Sequence, residues 1–279
     1  MTTVKKTLAI ILASCVGLMA AFVILPHAGD IIRQFRYERS LREHQKAMTE
    51  HINALNSPLL KGGDGSCYNL IILDESGSMH GLEDATIAGA NETIASIRAA
   101  ADSLPGLRQY LTVVAFSTRE EGDTLHVLND MTPIAEVKDL EHGDYMPDAM
   151  TPLYDAVGDM LTRMSLSVPE ESAVLVTIIT DGYENASQRY SPGNLKQMIG
   201  ILEERGWTFA YLGANQDAIL EAGKIGISNA MTYVADEHGL ARMYRVERNS
   251  RLRYYGRLST AASRHERKKA GDGYFEDNQ

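Results

Sequence analysis

Short apolar runs alternate with amphipathic stretches along most of the chain. The runs at 68–73 and 173–180 are rich in branched residues and predict buried strands, while apolar residues at helical spacing predict helices between them. The expected strands are 68–73, 110–116, 124–128, 173–180, 207–212 and 231–234, and the expected helices are 82–103, 152–164, 192–205, 216–223 and 239–262. This alternation predicts an α/β fold: a doubly wound, mostly parallel sheet with helices on both faces and 124–128 as an antiparallel edge strand.

The N-terminus carries the longest apolar stretch. Residues 7–25 contain no charge, follow Lys5 and Lys6, and end before Pro26. Nineteen helical residues just span a hydrocarbon core of roughly 30 Å, so we predict a transmembrane helix. Two alternatives stay open: a lipoprotein signal that lipidates Cys15, and a cleaved secretory signal.

A helical pattern follows this stretch and then gives way to a linker. We predict a juxtamembrane stalk at 28–56, which is a weak candidate for oligomerisation, and a linker at 57–65 that contains Pro58 and several glycines. The main domain is expected at 66–262 and a disordered tail at 263–279. Basic residues flank both ends of the apolar stretch, so the sequence predicts a single-pass membrane protein but leaves open the side on which the domain lies.

The charge of the chain is unevenly distributed. The formal net charge is −10, and residues 67–181 hold 20 Asp and Glu against 5 Lys and Arg. Such an acidic region would repel phosphate backbones, which excludes nucleic acid as its partner and means that an anionic ligand would need a bound cation. The arginines of the last predicted helix are expected to form a solvated face: Arg242, Arg245, Arg248, Arg251, Arg253 and Arg257.

Oxygen-bearing side chains follow three predicted strand or loop ends. Asp74, Ser76 and Ser78 come directly after the first strand, Thr151 precedes a helix that Pro152 begins, and Asp181 follows the most apolar strand. Ligands of such sheets bind at the carboxyl ends of the strands, and hard cations prefer oxygen. Each motif alone also fits a helix cap or a turn, but their coincidence at one sheet edge predicts a metal site.

The pattern Asp74-x-Ser76-x-Ser78, then Thr151, then Asp181 resembles the von Willebrand factor A domain family with a complete metal-ion-dependent adhesion site. The resemblance covers nearly all of the main domain. The chain is similar in its motifs to a bacterial and phage branch of this family, and we expect it to be a membrane-anchored member. It implies that the hydroxyls and aspartates hold Mg²⁺, with Mn²⁺ or Ca²⁺ as alternatives. It also implies that a protein partner supplies an Asp or Glu carboxylate to the metal.

Five neighbouring residues are candidates for a supporting or ligand-facing role: Glu75, Asp155, Asn185, Asn215 and Asp217. Asp155 could orient the site or simply be an acidic residue in the first turn of a helix, and Asn215 and Asp217 could equally cap a helix.

The motifs of common enzymes are missing from the sequence. No phosphate-binding glycine loop follows the first strand, which argues against a nucleotide ligand, and no nucleophile, base or histidine cluster accompanies the predicted metal site. We therefore expect no catalytic residues and no enzyme activity. The sequence and the resemblance together favour a membrane-anchored, metal-dependent protein-binding module. The resemblance implies an adaptor subunit for an AAA+ ATPase as an alternative, and a metal-assisted hydrolase is less favoured.

Overall fold

The computed structural model describes residues 65–118, 124–214 and 218–276, together with a few positions between 39 and 52. The main domain is a six-stranded sheet in the order β3-β2-β1-β4-β5-β6. The pairs that β1 makes with β2 and β4, and that β5 makes with β4 and β6, are parallel, whereas β3 pairs antiparallel with β2. The predicted α/β architecture with an antiparallel edge strand is therefore confirmed.

The strands and helices lie close to their predicted positions. The strands are β1 (Ser66–Asp74), β2 (Arg108–Phe116), β3 (Leu125–Pro133), β4 (Ala173–Thr180), β5 (Trp207–Ala214) and β6 (Ala230–Tyr233). The helices are α1 (Glu83–Ser103), α2 (Leu153–Ser167), α3 (Pro192–Glu204), α4 (Ala218–Lys224), α5 (Glu237–Leu258) and α6 (Arg264–Ala270), and one 3₁₀ turn spans Gly77–Met79.

The core lies on both faces of the sheet. Ile71 and Leu73 of β1 belong to one apolar cluster with residues of α1 and α5, which pack against each other. Leu70 and Ile72 alternate with them and are fully buried on the other face. Burial on both faces explains why β1 and β4 are almost uninterrupted apolar runs, and it places Cys67 as the small buried hydrophobe that its surroundings suggest.

Contact clustering separates residues 1–50 from the rest of the chain. In residues 1–50, the described positions are helical. No helix within the described residues is long and apolar enough to cross a membrane. The predicted span at 7–25 and Cys15 lie outside the described residues, so they stay predictions.

The expectation of a disordered tail at 263–279 is wrong for the residues described there. Ser263 caps helix α6, and its hydroxyl and Glu266 form a reciprocal capping box. Beyond the helix, Tyr274 and Phe275 are buried in the apolar cluster. Charges and glycines dominate this segment, but two aromatic residues bury enough surface to fix it against the domain.

The arginine face of α5 is also not uniformly solvated, because Arg251 is fully buried. Its guanidinium lies 2.6 Å from Glu247 and donates hydrogen bonds to Asn69 of β1 (3.0 Å) and Thr177 of β4 (2.8 Å). Arg251 therefore joins α5 to the two central strands, while Arg242, Arg245 and Arg257 are exposed as expected.

Candidate metal centre

The two central strands end where the order of the sheet reverses. The chain leaves β1 to form β2 on one side and returns to form β4 on the other side, so the carboxyl ends of β1 and β4 flank the switch point of the sheet. Asp74 is the last residue of β1, and Asp181 follows the last residue of β4. Parallel pairing thus brings together two carboxylates that are more than a hundred residues apart in sequence.

Hydroxyl groups connect these carboxylates. The Ser78 Oγ donates to Asp181 Oδ1 at 2.6 Å, and the Ser76 and Ser78 Oγ atoms lie 3.1 Å apart. The Ser76 backbone N–H donates to Asp74 Oδ1 at 2.9 Å, which folds the loop back over the end of β1. Four of the five predicted ligands therefore form one hydrogen-bonded cluster.

Thr151 completes the cluster beside Gly182. A Cβ atom built on Gly182 would lie 3.1 Å from Thr151 Oγ1, 3.3 Å from Ser78 Oγ and 3.5 Å from Asp74 Oδ2. Side-chain oxygens from two loops thus converge on Gly182 of a third loop, where the lack of a Cβ leaves space between them. The structure brings all five predicted ligand residues together.

The electrostatics of the cluster are unbalanced. Burial raises the pKa of Asp74, and the hydrogen bonds from Ser76 and Thr180 only partly oppose it. Burial also raises the pKa of Asp181, against the hydrogen bond from Ser78. Among the described residues, no lysine or arginine forms an ion pair with either carboxylate. A bound cation would supply the missing positive charge.

Three residues that the motif does not include hold the predicted ligands in place. The Thr180 hydroxyl donates to Asp74 Oδ2, and the Tyr145 hydroxyl donates to the Asp74 carbonyl. Asn185 holds Thr151 from both sides: its Oδ1 accepts from the Thr151 N–H at 2.9 Å, and its N–H donates to the Thr151 carbonyl at 3.2 Å. Asn185 was a predicted supporting residue; Thr180 and Tyr145 were missed because nothing in their local sequence marks them.

The loop after β4 is held against the start of α2. Helix α2 has no side-chain cap of its own, since Pro152 stands at that position. Glu184 supplies one from the loop, accepting from the Tyr154 N–H at 2.9 Å. In return, Asp155 accepts from the backbone N–H groups of Gln188, Arg189 and Tyr190. Asp155 thus fixes this loop, and it also lies in the first turn of α2.

The other candidate residues lie elsewhere or outside the described part. Glu75 is fully buried; its carboxylate accepts from the Met146 N–H at 2.8 Å and lies 3.6 Å from His126 Nδ1. Glu75 therefore supports the loop that precedes Thr151 and is not exposed to a ligand. Asn215 and Asp217 are outside the described residues.

The donor set fits a small, hard cation. Three hydroxyls and two carboxylates provide only oxygen, and a carboxylate has lone pairs beyond the two hydrogen bonds that Asp74 accepts. Within the described residues, no three histidine, cysteine, aspartate or glutamate side chains group as a metal site. The cluster therefore differs from a zinc or carboxylate-cage site, and its hydroxyl-rich composition fits Mg²⁺ with water or an external ligand in the remaining positions.

Comparison with known proteins gives a similarity of fold. No protein-family model and no curated protein sequence matches the chain. Among solved structures, it is similar to a PilB minor pilin from Streptococcus sanguinis (11% identity, TM-score 0.46, covering 70% of this chain and 63% of that one). It is also similar to a von Willebrand factor type A protein from Catenulispora acidiphila (16% identity, TM-score 0.45, covering 68% of this chain and 43% of that one). A third similar structure is the SpRpn10 VWA domain (9% identity, TM-score 0.41, covering 63% of this chain and 92% of that one).

The chain spans less than two thirds of the length of the first two of these structures. Its own fold is α/β with a mostly parallel six-stranded sheet, and the similarity to these structures assigns it no family. At these identities the similarity concerns the fold and assigns no ligand or activity to the chain.

Proposed function

We propose that this protein is a membrane-anchored module that binds a partner protein through a divalent cation. The cation is Mg²⁺, held by Asp74, Ser76, Ser78, Thr151 and Asp181. The observation that carries the proposal is the convergence of Thr151, Ser78 and Asp74 oxygens around Gly182, beside a carboxylate that Ser78 already contacts. The anchor is the apolar stretch at 7–25.

The buried residues of the cluster would hold the cation, and the more exposed ones would leave it accessible. Asp74 and Thr151 are buried and fixed by Thr180 and Asn185, so they provide a rigid base. Ser78 is exposed and Asp181 is half-buried, so the site opens to solvent between them. When bound, Mg²⁺ would offer its open position to a carboxylate from outside, which the acidic loops alone would repel.

The proposed role is binding and not catalysis. Among the described residues, no histidine forms a hydrogen bond with any of the five ligand residues; their side chains bond to one another, to the Ser76 N–H and to the Thr180 hydroxyl. Metal-assisted hydrolysis requires a group that accepts a proton from water or substrate. Of the five ligand residues only Asp74 and Asp181 carry such a group, and the proposal assigns both of them to the cation.

The test is calorimetric titration of the full-length chain in detergent with MnCl₂ and MgCl₂. We expect one site, and we expect Asp181→Ala to weaken binding at least about tenfold, because it removes a charged ligand. The matched control is Asp102→Ala, since Asp102 is an exposed carboxylate at the far end of α1. Equal metal affinity in wild type and Asp181→Ala would refute the proposal.

A further inference from the structure

Large apolar side chains are exposed around the candidate metal centre. Met146 is 64% exposed, Met150 is 52% exposed, and Tyr183 is 55% exposed. Met146 and Met150 lie in the loop that ends at Thr151, and Tyr183 follows Gly182. We call these three residues the apolar border. Three further large hydrophobic residues that are exposed in the described chain also follow the carboxyl ends of strands: Ile219 and Leu220 come after β5, and Val234 comes after β6.

The backbone of the apolar border is fixed although its side chains are exposed. The Met146 N–H donates to the buried Glu75, and the Met150 N–H donates to the Thr118 hydroxyl at 3.0 Å, while the Met150 carbonyl accepts from the Thr118 N–H at 3.1 Å. Ala149, between them, has a positive φ of 62°, a conformation that costs energy for a residue with a side chain. The loop is thus held in a defined conformation that presents two methionines to solvent.

The charge of the surrounding loops limits what could cover this border. The three loops that carry the ligand residues, at 74–80, 144–155 and 181–191, contain seven Asp and Glu and one basic residue, Arg189, which is paired with Asp155 and Asp159. A bound cation would therefore be the one positive centre of these loops that is not already paired with a protein carboxylate. One carboxylate could reach it, but further acidic groups on the partner would meet only like charge.

These observations point to one kind of partner, on the basis of the metal-dependent binding proposed above. We propose that the site recognises a protein segment with a single Asp or Glu whose sequence neighbours are large apolar residues. The carboxylate binds the cation, and the neighbours pack on Met146, Met150 and Tyr183. Methionine suits this task because its flexible, polarizable side chain adapts to different apolar surfaces.

Three synthetic peptides of equal length test the proposal on the full-length chain in detergent with MgCl₂. Each has a central aspartate, flanked by leucine and phenylalanine, by two serines, or by two glutamates. We expect the apolar-flanked peptide to bind at least about tenfold more tightly than the serine-flanked one, and the glutamate-flanked peptide to bind most weakly. EDTA, or asparagine in place of the central aspartate, should abolish the binding.

Variants of the chain assign this preference to the apolar border. The double variant Met146→Ser with Met150→Ser should lose most of the tenfold preference and keep the wild-type affinity for MnCl₂. The matched control is Leu166→Ser, since Leu166 is 66% exposed but lies near the far end of α2, about 20 Å along the helix from Thr151.

Different results would overturn the inferred peptide preference and the proposed metal-dependent binding. Mg²⁺-dependent binding in which the serine-flanked or glutamate-flanked peptide is equal to or tighter than the apolar-flanked one would overturn the inference and leave the metal-bridged function standing. A preference that survives the double methionine variant would overturn the role of the border. Failure of the apolar-flanked peptide to bind in MgCl₂ would overturn the inference, and loss of metal binding itself would overturn the proposed function as well.

Discussion

Of the buried carboxylates in the described part of the domain, Glu247 and Asp74 have opposite electrostatic surroundings. Glu247 of α5 lies 2.6 Å from Arg251, which also bonds to the central strands. Asp74, at the end of β1, is equally buried but receives only a backbone N–H and hydroxyl hydrogen bonds. Both lie close to the same two strands, and within the described residues the first is paired with an arginine whereas the second forms an ion pair with no lysine or arginine.

The pKa directions follow this difference. Burial alone would lower the pKa of Arg251, but the charge of Glu247, the hydrogen bond that it accepts from Arg251 and the nearby Tyr255 and Tyr274 together outweigh burial, and the pKa is raised well above its usual value. For Asp74 the burial effect wins, and the pKa is raised in spite of the hydrogen bonds. A buried charge that is paired with an opposite charge of the protein serves the structure of the fold. A buried carboxylate without such a partner, surrounded by hydroxyls at a sheet edge, is suited to binding a cation from solution.

Breaking the balanced pair should have the largest effect on stability. Arg251→Met leaves Glu247 buried without its cation and removes the hydrogen bonds to Asn69 and Thr177. We expect the free energy of unfolding to fall by about 3–5 kcal/mol. Urea unfolding of the full-length chain, followed by the fluorescence of the buried Trp207, measures this change.

The control for this prediction removes both charges. The double variant Glu247→Met with Arg251→Met should be more stable than Arg251→Met alone, because no unpaired charge remains in the core. If the double variant is the less stable of the two, the pair is not held by charge balance and the comparison with Asp74 loses its basis.

At the candidate metal centre, removing a supporting residue should reduce metal affinity more than stability. Asn185→Ala removes the acceptor for the Thr151 N–H and so loosens one ligand without deleting it. We expect Mn²⁺ affinity to fall about 10- to 100-fold, the usual effect of losing such a support. Calorimetric titration measures this change.

Asn91→Ala is the matched control for Asn185→Ala. Asn91 of α1 also bonds to both backbone groups of a single residue, Leu140, with its Oδ1 accepting at 2.7 Å and its Nδ2 donating at 2.9 Å. It should cost comparable stability and leave Mn²⁺ affinity unchanged. An equal loss of metal affinity in both variants would mean that Asn185 acts through general stability alone.

The contrast between the two regions also explains what the sequence could reveal. The candidate ligand residues could be selected from the sequence because a cation requires particular oxygen groups at strand ends, and such groups stand out beside apolar runs. The mostly parallel sheet with an antiparallel edge strand followed from the same apolar runs. Asn185 was a candidate only through its closeness to Asp181, and Thr180 was hidden as the last residue of an apolar strand.

The role of Arg251 was hidden for a different reason. In the sequence it is one of several arginines spaced along α5, and nothing local distinguishes it from Arg248 or Arg257. Its burial depends on Asn69 and Thr177, which are contributed by strands that lie far away in the chain. The same holds for the tail, where Tyr274 is buried and donates to Glu247 at 3.0 Å. Long-range polar contacts of this kind leave no periodic signal in the sequence.

The smallest predicted effect is a change in stability whose sign differs between the two regions: removing the charge of Asp181 should not destabilise the chain in EDTA, whereas removing that of Arg251 should. In EDTA at neutral pH, the ionised Asp181 is less favourable in the folded chain than in the unfolded one, because its folded pKa is raised. Its contribution to stability therefore falls as the pH rises from about 3.9 through the folded pKa. Asp181→Asn should match or exceed wild-type stability in EDTA, by less than about 1 kcal/mol because the side chain is partly exposed.

Adding Mg²⁺ should reverse this order. Wild type gains stability in proportion to the logarithm of metal concentration over the dissociation constant, whereas Asp181→Asn gains less because its site has lost a charged ligand. Urea unfolding in EDTA and in MgCl₂ measures both differences, with Asp102→Asn as the exposed control. A variant that is less stable than wild type in EDTA would show that Asp181 is part of the architecture, as Glu247 is. A chain that is stable without the Asp181 carboxylate, but needs this carboxylate for the stability that Mg²⁺ adds, uses Asp181 to bind its ligand and not to hold the fold.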